Sequence, residues 1–426
     1  MGLKPRLLLG ALSLSLLVSC HRTDDADGSP QPAQQAHKVD SHQFIKSAMG
    51  TPFKVTLVGH SFPQARQLAR LAFQELERIE RRVSSWRAQS EIGVLNRAKG
   101  EWSPLSAETH WLLSRAHDLN ALTRASFDVT WAALKGVWDF RAKRLPDPAL
   151  VSARLKLIGA HHLSLRGGSR PPLAPPPSPL WMRRLAPDHP LRAELSLEST
   201  EQSASAEGGE RYMARLTLGA EVDLGGIAKG YALDSMARLL RRYGAGRFLI
   251  DGGGDLLAYG ESPQGTEWGV GVRHPRRDEL LLTLKIPSGW SVVTSGDYER
   301  YFILGGERYH HIIDLRSGYP AQGTASVTLF AREALMADAL ATGMMVLGAQ
   351  EGLEVIEGLE GAEAMWMSVS GDVTYSSGFK RFSEALPARW GETSTDPHPN
   401  AEPQVGPTAQ PTAQPTAQPK AEKTAQ

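Results

Sequence analysis

Asp223-Leu224-Gly225-Gly226-Ile227-Ala228-Lys229-Gly230 opens a helical pattern with two consecutive glycines and a lysine in its first turn. Glycine lets another group approach the backbone closely, and the first N–H groups of a helix have no partner within it. A helix N-terminus, bare backbone and an ammonium are the parts that hold a phosphate. Further along, Ala337-Asp338-Ala339-Leu340-Ala341-Thr342 sets a carboxylate and a hydroxyl at i and i+4. On a helix these share a face. Their oxygens suit a hard cation such as Mg2+, which completes its shell with water and phosphate oxygens. Read alone, the first stretch is equally an Asp N-cap before a tight turn. Read alone, the second is more simply a Thr bonded to its own helix with Asp338 exposed. Read together, they predict an enzyme that grips a pyrophosphate through a divalent metal.

The surrounding pattern is α+β. Phe53 to Val58 alternates like a strand, and Ala65 to Val83 repeats apolar residues at helical spacing. Ile227 to Tyr243 reads as a helix with Gly244 as its stop. Phe248-Leu249-Ile250 is a buried strand entering Asp251-Gly252-Gly253-Gly254-Asp255, and Ser291 to Thr294 is another. Glu333 to Leu347 carries an apolar helical stripe. No phosphate-binding glycine fingerprint follows the first strand, so a doubly wound nucleotide fold is not expected. The expectation is mixed or antiparallel sheets with flanking helices.

The two ends read differently from this body. Lys4 and Arg6 precede an apolar run, Leu7 to Val18, that is shorter than the roughly 20 residues needed to span a bilayer. The run ends at Leu17-Val18-Ser19-Cys20, and Cys20 is the only cysteine. This looks like a bacterial lipobox, in which residues 1–19 are removed and Cys20 is lipidated. Cleavage takes Lys4 and Arg6 away, so the formal charge moves from +1 to −1. A near-neutral chain gives no electrostatic case for nucleic acid. Residues 20–43 read as a flexible stem, and 386–426, with Pro-Thr-Ala-Gln repeated from Pro407, as a disordered tail. Within the body, about 166–210 crowds six prolines between Pro171 and Pro179 and reads as a surface insertion.

A third group of residues, Thr294-Ser295-Gly296-Asp297-Tyr298 with His310-His311-Ile312-Ile313-Asp314-Leu315-Arg316, lies between the two halves of the phosphate site. A histidine beside an aspartate-arginine turn can accept a hydroxyl proton near neutral pH. At this point the chain resembles the ApbE family, the FAD:protein FMN transferases. The four motifs already quoted occur in that family's order. The N-terminal half agrees through Met49-Gly50-Thr51, Ser84-Ser85-Trp86, Ser90 to Asn96, Phe127-Asp128-Val129-Thr130 and Val137-Trp138-Asp139-Phe140. The likeness covers roughly Met49 to Phe379, and residues 44–385 are taken as one such domain.

The resemblance implies roles. Gly226 binds Mg2+ through its carbonyl, with Asp338 and Thr342 as the other protein ligands. Met49, Trp86, Phe127, Asp128, Val129 and Ile312 line the pocket for FAD, and Asp223 and Lys229 also contact it. His311 is the general base. The implied reaction moves FMN from FAD to a Ser or Thr hydroxyl of an acceptor protein, commonly a subunit of a membrane redox complex, and releases AMP. The lipobox implies an exported protein on the periplasmic side of a bacterial membrane, inner or outer, held through the lipid anchor. Two alternatives stay open at this level: hydrolysis of FAD by water at the same site, and FAD binding without turnover. Leu315 stands where the family usually has proline, Ala341 lacks an aspartate some members carry, and the proline-rich insertion is longer than the family pattern.

Overall fold

A computed structural model describes residues 39–167, 212–383 and 385–390. The expected export signal, Cys20, most of the expected stem, the proline-rich insertion and the repeat tail lie outside them. The body is longer than expected at both ends. Its first strand begins at Ser41 rather than residue 44, and Trp390 is buried against His274. The Trp390 indole N–H donates to the Ser368 carbonyl at 2.9 Å. The strands flanking the insertion pair with each other, Arg166 opposite Met213, so the chain leaves and rejoins the body at one place.

The frame is one eight-stranded sheet: β1 (Ser41–Ala48), β2 (Thr51–Val58), β3 (Phe248–Gly252), β4 (Leu256–Tyr259), β5 (Trp290–Gly296), β6 (Thr324–Ala331), β7 (Ala362–Ser368) and β8 (Val373–Tyr375). Spatial order follows chain order, and every neighbouring pair is antiparallel. The two-residue alternation of strands sorts the core to two faces. Val293, Val327, Leu329 and Trp366 face one cluster. Their neighbours Val292, Phe330, Met365 and Met367 face the other. Because both faces are covered, β6 is buried along its whole length.

The main helices are α1 (Phe62–Val83), α2 (Ala107–Leu122), α3 (Ala228–Arg242) and α4 (Ala334–Glu357). Gly244, at φ 82°, ends α3 as expected, with the Ala245 N–H donating to the Leu240 carbonyl at 2.9 Å. The expected helix ending at Leu347 is the first half of α4, which kinks at Gly348 and continues to Glu357. Among the described residues no helix is long and apolar enough to cross a membrane.

Helices α3 and α4 cap each other. Neither N-cap residue, Ile227 or Glu333, supplies a side-chain cap. Instead Asp234 of α3 accepts the Ala334 and Leu335 N–H groups, both at 2.9 Å. Asp338 of α4 accepts the Gly230 N–H at 3.0 Å. Orphan donors at helix starts need such acceptors. Gly230 makes the approach possible, because a Cβ there would lie 2.2 Å from the Ala334 carbonyl oxygen.

Candidate active site

The site gathers at the sheet end where β1 turns into β2 and β3 into β4. The Met49-Gly50 turn and the Gly253-Gly254 turn touch: a Cβ on Gly253 would lie 2.1 Å from the Thr51 hydroxyl. Beside them the first turn of α3 meets the first turn of α4. Lys229 Nζ pairs with Asp255 and lies 3.3 Å from Asp338 Oδ1. Two stretches 108 residues apart in the chain are thereby joined, as the sequence predicted.

Charge in this cluster is unbalanced. Asp255 and Asp338 are both 4% exposed and share a single ammonium. Burial lowers the Lys229 pKa, but Asp338 and Asp255 override it and the net shift is upward. Burial, with Asp338 nearby and Lys229 opposing, pushes Asp255 up to about 7. Lys229 is therefore not the free phosphate-neutralising cation that the sequence suggested; two carboxylates hold it. The bare backbone is also less open than expected. The N–H groups of Gly225, Ile227, Ala228 and Gly230 already donate to Asp223, Leu224 (twice) and Asp338.

The donors present fit a hard cation. Asp338 is buried, not exposed, so the plainer reading of its stretch fails for the carboxylate. Thr342 is half-buried, and its hydroxyl makes only a long 3.4 Å contact to the Asp338 carbonyl, which leaves it able to turn to another partner. Gly226 lies under Phe127, whose ring edge would be 3.0 Å from a Cβ, so a side chain there would have to push the ring aside. Carboxylate, hydroxyl and carbonyl are all oxygen donors, the set Mg2+ takes. Among the described residues no group of three or more His, Cys, Asp or Glu forms a protein-only metal cage. A cation here would need oxygens from its ligand. Ala341 is fully buried in the core, so no second α4 carboxylate joins the set.

A second cluster flanks the first. The Asp223 carboxylate accepts the Gly225 N–H at 2.5 Å, the Ser85 hydroxyl at 2.6 Å and the Lys135 ammonium. Lys135 lies 4.6 Å from the centre of the Trp86 ring. Trp86 is 84% exposed, although a tryptophan surface is costly to leave in water. An exposed indole beside a cation is a platform for a planar ring. The Asp223 N–H donates to the Val129 carbonyl at 2.8 Å, which ties this cluster to the Phe127–Thr130 segment.

His311 and His310 divide their work. His310 is consumed structurally: its Nε2 is 2.8 Å from the Ala321 carbonyl, and its Nδ1 accepts the Ile312 N–H at 3.4 Å. His311 is held by its backbone N–H, which donates to the Arg300 carbonyl at 3.0 Å. Its buried Nδ1 has no protein partner. Burial first, then His310, Arg300 and Lys229, pushes its pKa down to about 4. The imidazole is thus neutral well below pH 7, not poised near it as the sequence suggested. Asp314 is not its partner either, because Asp314 pairs with Arg316 on the surface.

Other sequence-chosen residues serve the scaffold through their side chains. Asp128 is 4% exposed and caps the short helix Val129–Leu134, accepting the Thr130 N–H at 2.8 Å and the Asn120 amide at 3.0 Å. Val129 and Ile312 are buried in core clusters. Met49 is half-buried at the turn, with an unusual φ of 50°. Ser85, Lys135 and Asp255 were missed as site residues. Asp255 ends a glycine run after a strand, a signal that was available. Lys135 had none.

An antiparallel sheet that brings a buried carboxylate cluster, a glycine turn and an exposed aromatic platform to one end defines a site for a phosphate-bearing, ring-containing ligand. The ApbE family model matches residues 49–366, and the chain belongs to the ApbE family. It is 28% identical over 386 residues to an FAD:protein FMN transferase of Vibrio cholerae, covering 89% of this chain and 96% of that protein. It is 29% identical over 335 residues to one of Treponema pallidum, covering 75% and 82%. Among solved structures, the ApbE protein of Thermotoga maritima superposes with a TM-score of 0.64 at 27% identity, over 80% of this chain and 99% of that one. The Pseudomonas stutzeri flavinyl transferase ApbE, apo form, gives 0.65 at 25%, over 83% and 100%.

Proposed function

We propose that this chain transfers FMN from FAD to a Ser or Thr hydroxyl of an acceptor protein and releases AMP. The observation that carries this is the meeting of Asp338 with Lys229, Gly230 and Asp255 at a glycine turn, with the neutral ring of His311 close enough for the Lys229 charge to help lower its pKa. Together with family membership, it supports an active transferase rather than a passive carrier.

In the reaction, the acceptor oxygen forms a new bond to the FMN phosphorus. The bond from that phosphorus to the bridging pyrophosphate oxygen breaks, and AMP leaves with that oxygen. The acceptor's proton goes to His311, whose lone pair is available because burial keeps the ring neutral. Its low basicity means that proton transfer follows the developing P–O bond rather than preceding it. Trp86 and Met49 would wall the isoalloxazine side, with Lys135 and Asp223 fixing the Trp86 loop. Asp338, Thr342 and the Gly226 carbonyl would hold Mg2+, which when bound neutralises pyrophosphate charge and polarises its oxygens. Lys229 bridges the two buried carboxylates and holds them in place for that purpose. Positioning and charge neutralisation are the protein's main contributions to phosphoryl transfer.

The signal-like N-terminus and the lone Cys20 support a lipid-anchored protein on the periplasmic side of a bacterial membrane. That placement suits an acceptor in a membrane redox complex. The test is incubation with FAD, Mg2+ and a candidate acceptor domain, followed by weighing the acceptor. A mass gain of FMN less one water, with stoichiometric AMP, supports the reading. Release of free FMN and AMP with the acceptor unmodified, across a panel of acceptors, points to hydrolysis instead.

A further inference from the structure

Met49 occupies a position that its chemistry disfavours. Ala48 pairs with Thr51 across the β1–β2 hairpin, so Met49 and Gly50 form a two-residue turn. Both have positive φ, 50° and 77°. Such turns favour Asn or Asp before glycine, because a long side chain in the left-handed region crowds its own backbone. The Met49 N–H also points away from the hairpin ladder and needs an acceptor elsewhere. It finds one in α1: Glu80 Oε1 accepts it at 2.8 Å.

The other oxygen of the same carboxylate, Oε2, lies 3.7 Å from Arg87 Nη2. Arg87 directly follows the exposed Trp86, in a loop wound by the Ser90 hydroxyl, which donates to the Ser84 and Arg87 carbonyls at 2.6 and 2.9 Å. Glu80 therefore touches both the strained turn and the loop that presents the aromatic platform. Among the described residues no other hydrogen bond or ion pair joins these two segments.

We propose that Glu80 is a positioning residue for FAD binding: it latches the Met49 backbone into its left-handed turn and ties that turn to the Trp86 loop. The two walls of the flavin pocket are then set as one unit before the ligand arrives. This rests on the reading that Met49 and Trp86 face the flavin. Glu80 does not touch the reacting phosphorus, so its effect belongs to binding and not to chemistry.

The test compares Glu80→Ala with Glu80→Gln in the full chain. Loss of a charge-assisted hydrogen bond should raise the FAD Kd about tenfold or more in Glu80→Ala. Turnover at saturating FAD should stay within about twofold. Glu80→Gln keeps an acceptor for the Met49 N–H but gives up the ion pair to Arg87, and should recover part of the affinity. Amide hydrogen exchange at Met49–Thr51, measured without FAD, reads the latch directly and should speed up in Glu80→Ala alone. Unchanged exchange there overturns the latch, even if FAD binding weakens. Wild-type FAD affinity in Glu80→Ala, while Met49→Ala and Trp86→Ala bind poorly, also overturns it. If Met49→Ala and Trp86→Ala bind FAD normally, the pocket assignment fails instead, and exchange still decides whether Glu80 holds the turn. A melting temperature lowered equally in both Glu80 variants, with FAD affinity intact, reduces the residue to a structural contact.

Discussion

Asp338 does two things at once, and a single pair of substitutions separates them. Its Oδ2 accepts the Gly230 N–H at 3.0 Å, a structural cap, while its charge, shared with Asp255 against one Lys229, makes the cluster attractive to a cation. Asn in its place retains a carbonyl that can accept from Gly230 and removes the charge. A unit charge lost about 4 Å from a cation is worth ~4 kcal/mol at an effective dielectric of about 20. That corresponds to about a thousandfold in rate or in metal affinity. Asp338→Asn should therefore melt within about 1 kcal/mol of wild type yet transfer FMN about a thousandfold more slowly at limiting Mg2+. Asp338→Ala should lose the cap as well and cost a further ~1 to 2 kcal/mol of stability. The assay is FMN transfer to an acceptor domain across a Mg2+ titration, alongside thermal melts of all three proteins. Full activity of Asp338→Asn at limiting Mg2+ would refute the assignment, and the carboxylate would then be only the cap of α3.

His311→Asn should bind FAD nearly normally and transfer FMN at least about a hundredfold more slowly in single turnover. Because the His311 pKa is depressed to about 4, its base form is present above that value and lost only as pH falls through it. The wild-type chemical step should thus be flat in this group from about pH 5 to pH 8 and decline below, with the decline absent in the mutant; a wild-type rise centred near pH 6.5 would contradict the buried environment. Trp86→Ala should leave the melting temperature unchanged, since the ring is exposed, and weaken FAD binding about tenfold, read by flavin fluorescence. Gly230→Ala should cost ~1 to 3 kcal/mol, because its methyl would meet the Ala334 carbonyl and push α3 from α4; urea unfolding measures it. Cys20→Ser should leave the protein unanchored or unprocessed, and unaltered detergent partitioning would remove the lipobox reading.

Local pattern alone was enough for much of this protein. Apolar spacing located α1, α3 and the first half of α4, and glycine with aspartate marked the turns that build the site. These features are legible because each depends on neighbours within a few residues, and backbone chemistry limits what such neighbours can do. The quoted motifs also pointed to the right family, since their residue types and order carry the chemistry of the ligand. Tertiary structure decided the rest. Whether Lys229 is free or held depends on Asp255 and Asp338, which arrive from other elements. Which of two adjacent histidines keeps an open nitrogen depends on where the Ala321 carbonyl falls. That Asp128 also caps a helix was equally out of reach, because only the fold brings Asn120 to the carboxylate that accepts from Thr130. The pKa of His311 was unreadable for the same reason: burial and the nearby positive charges exist only after the chain has folded around it.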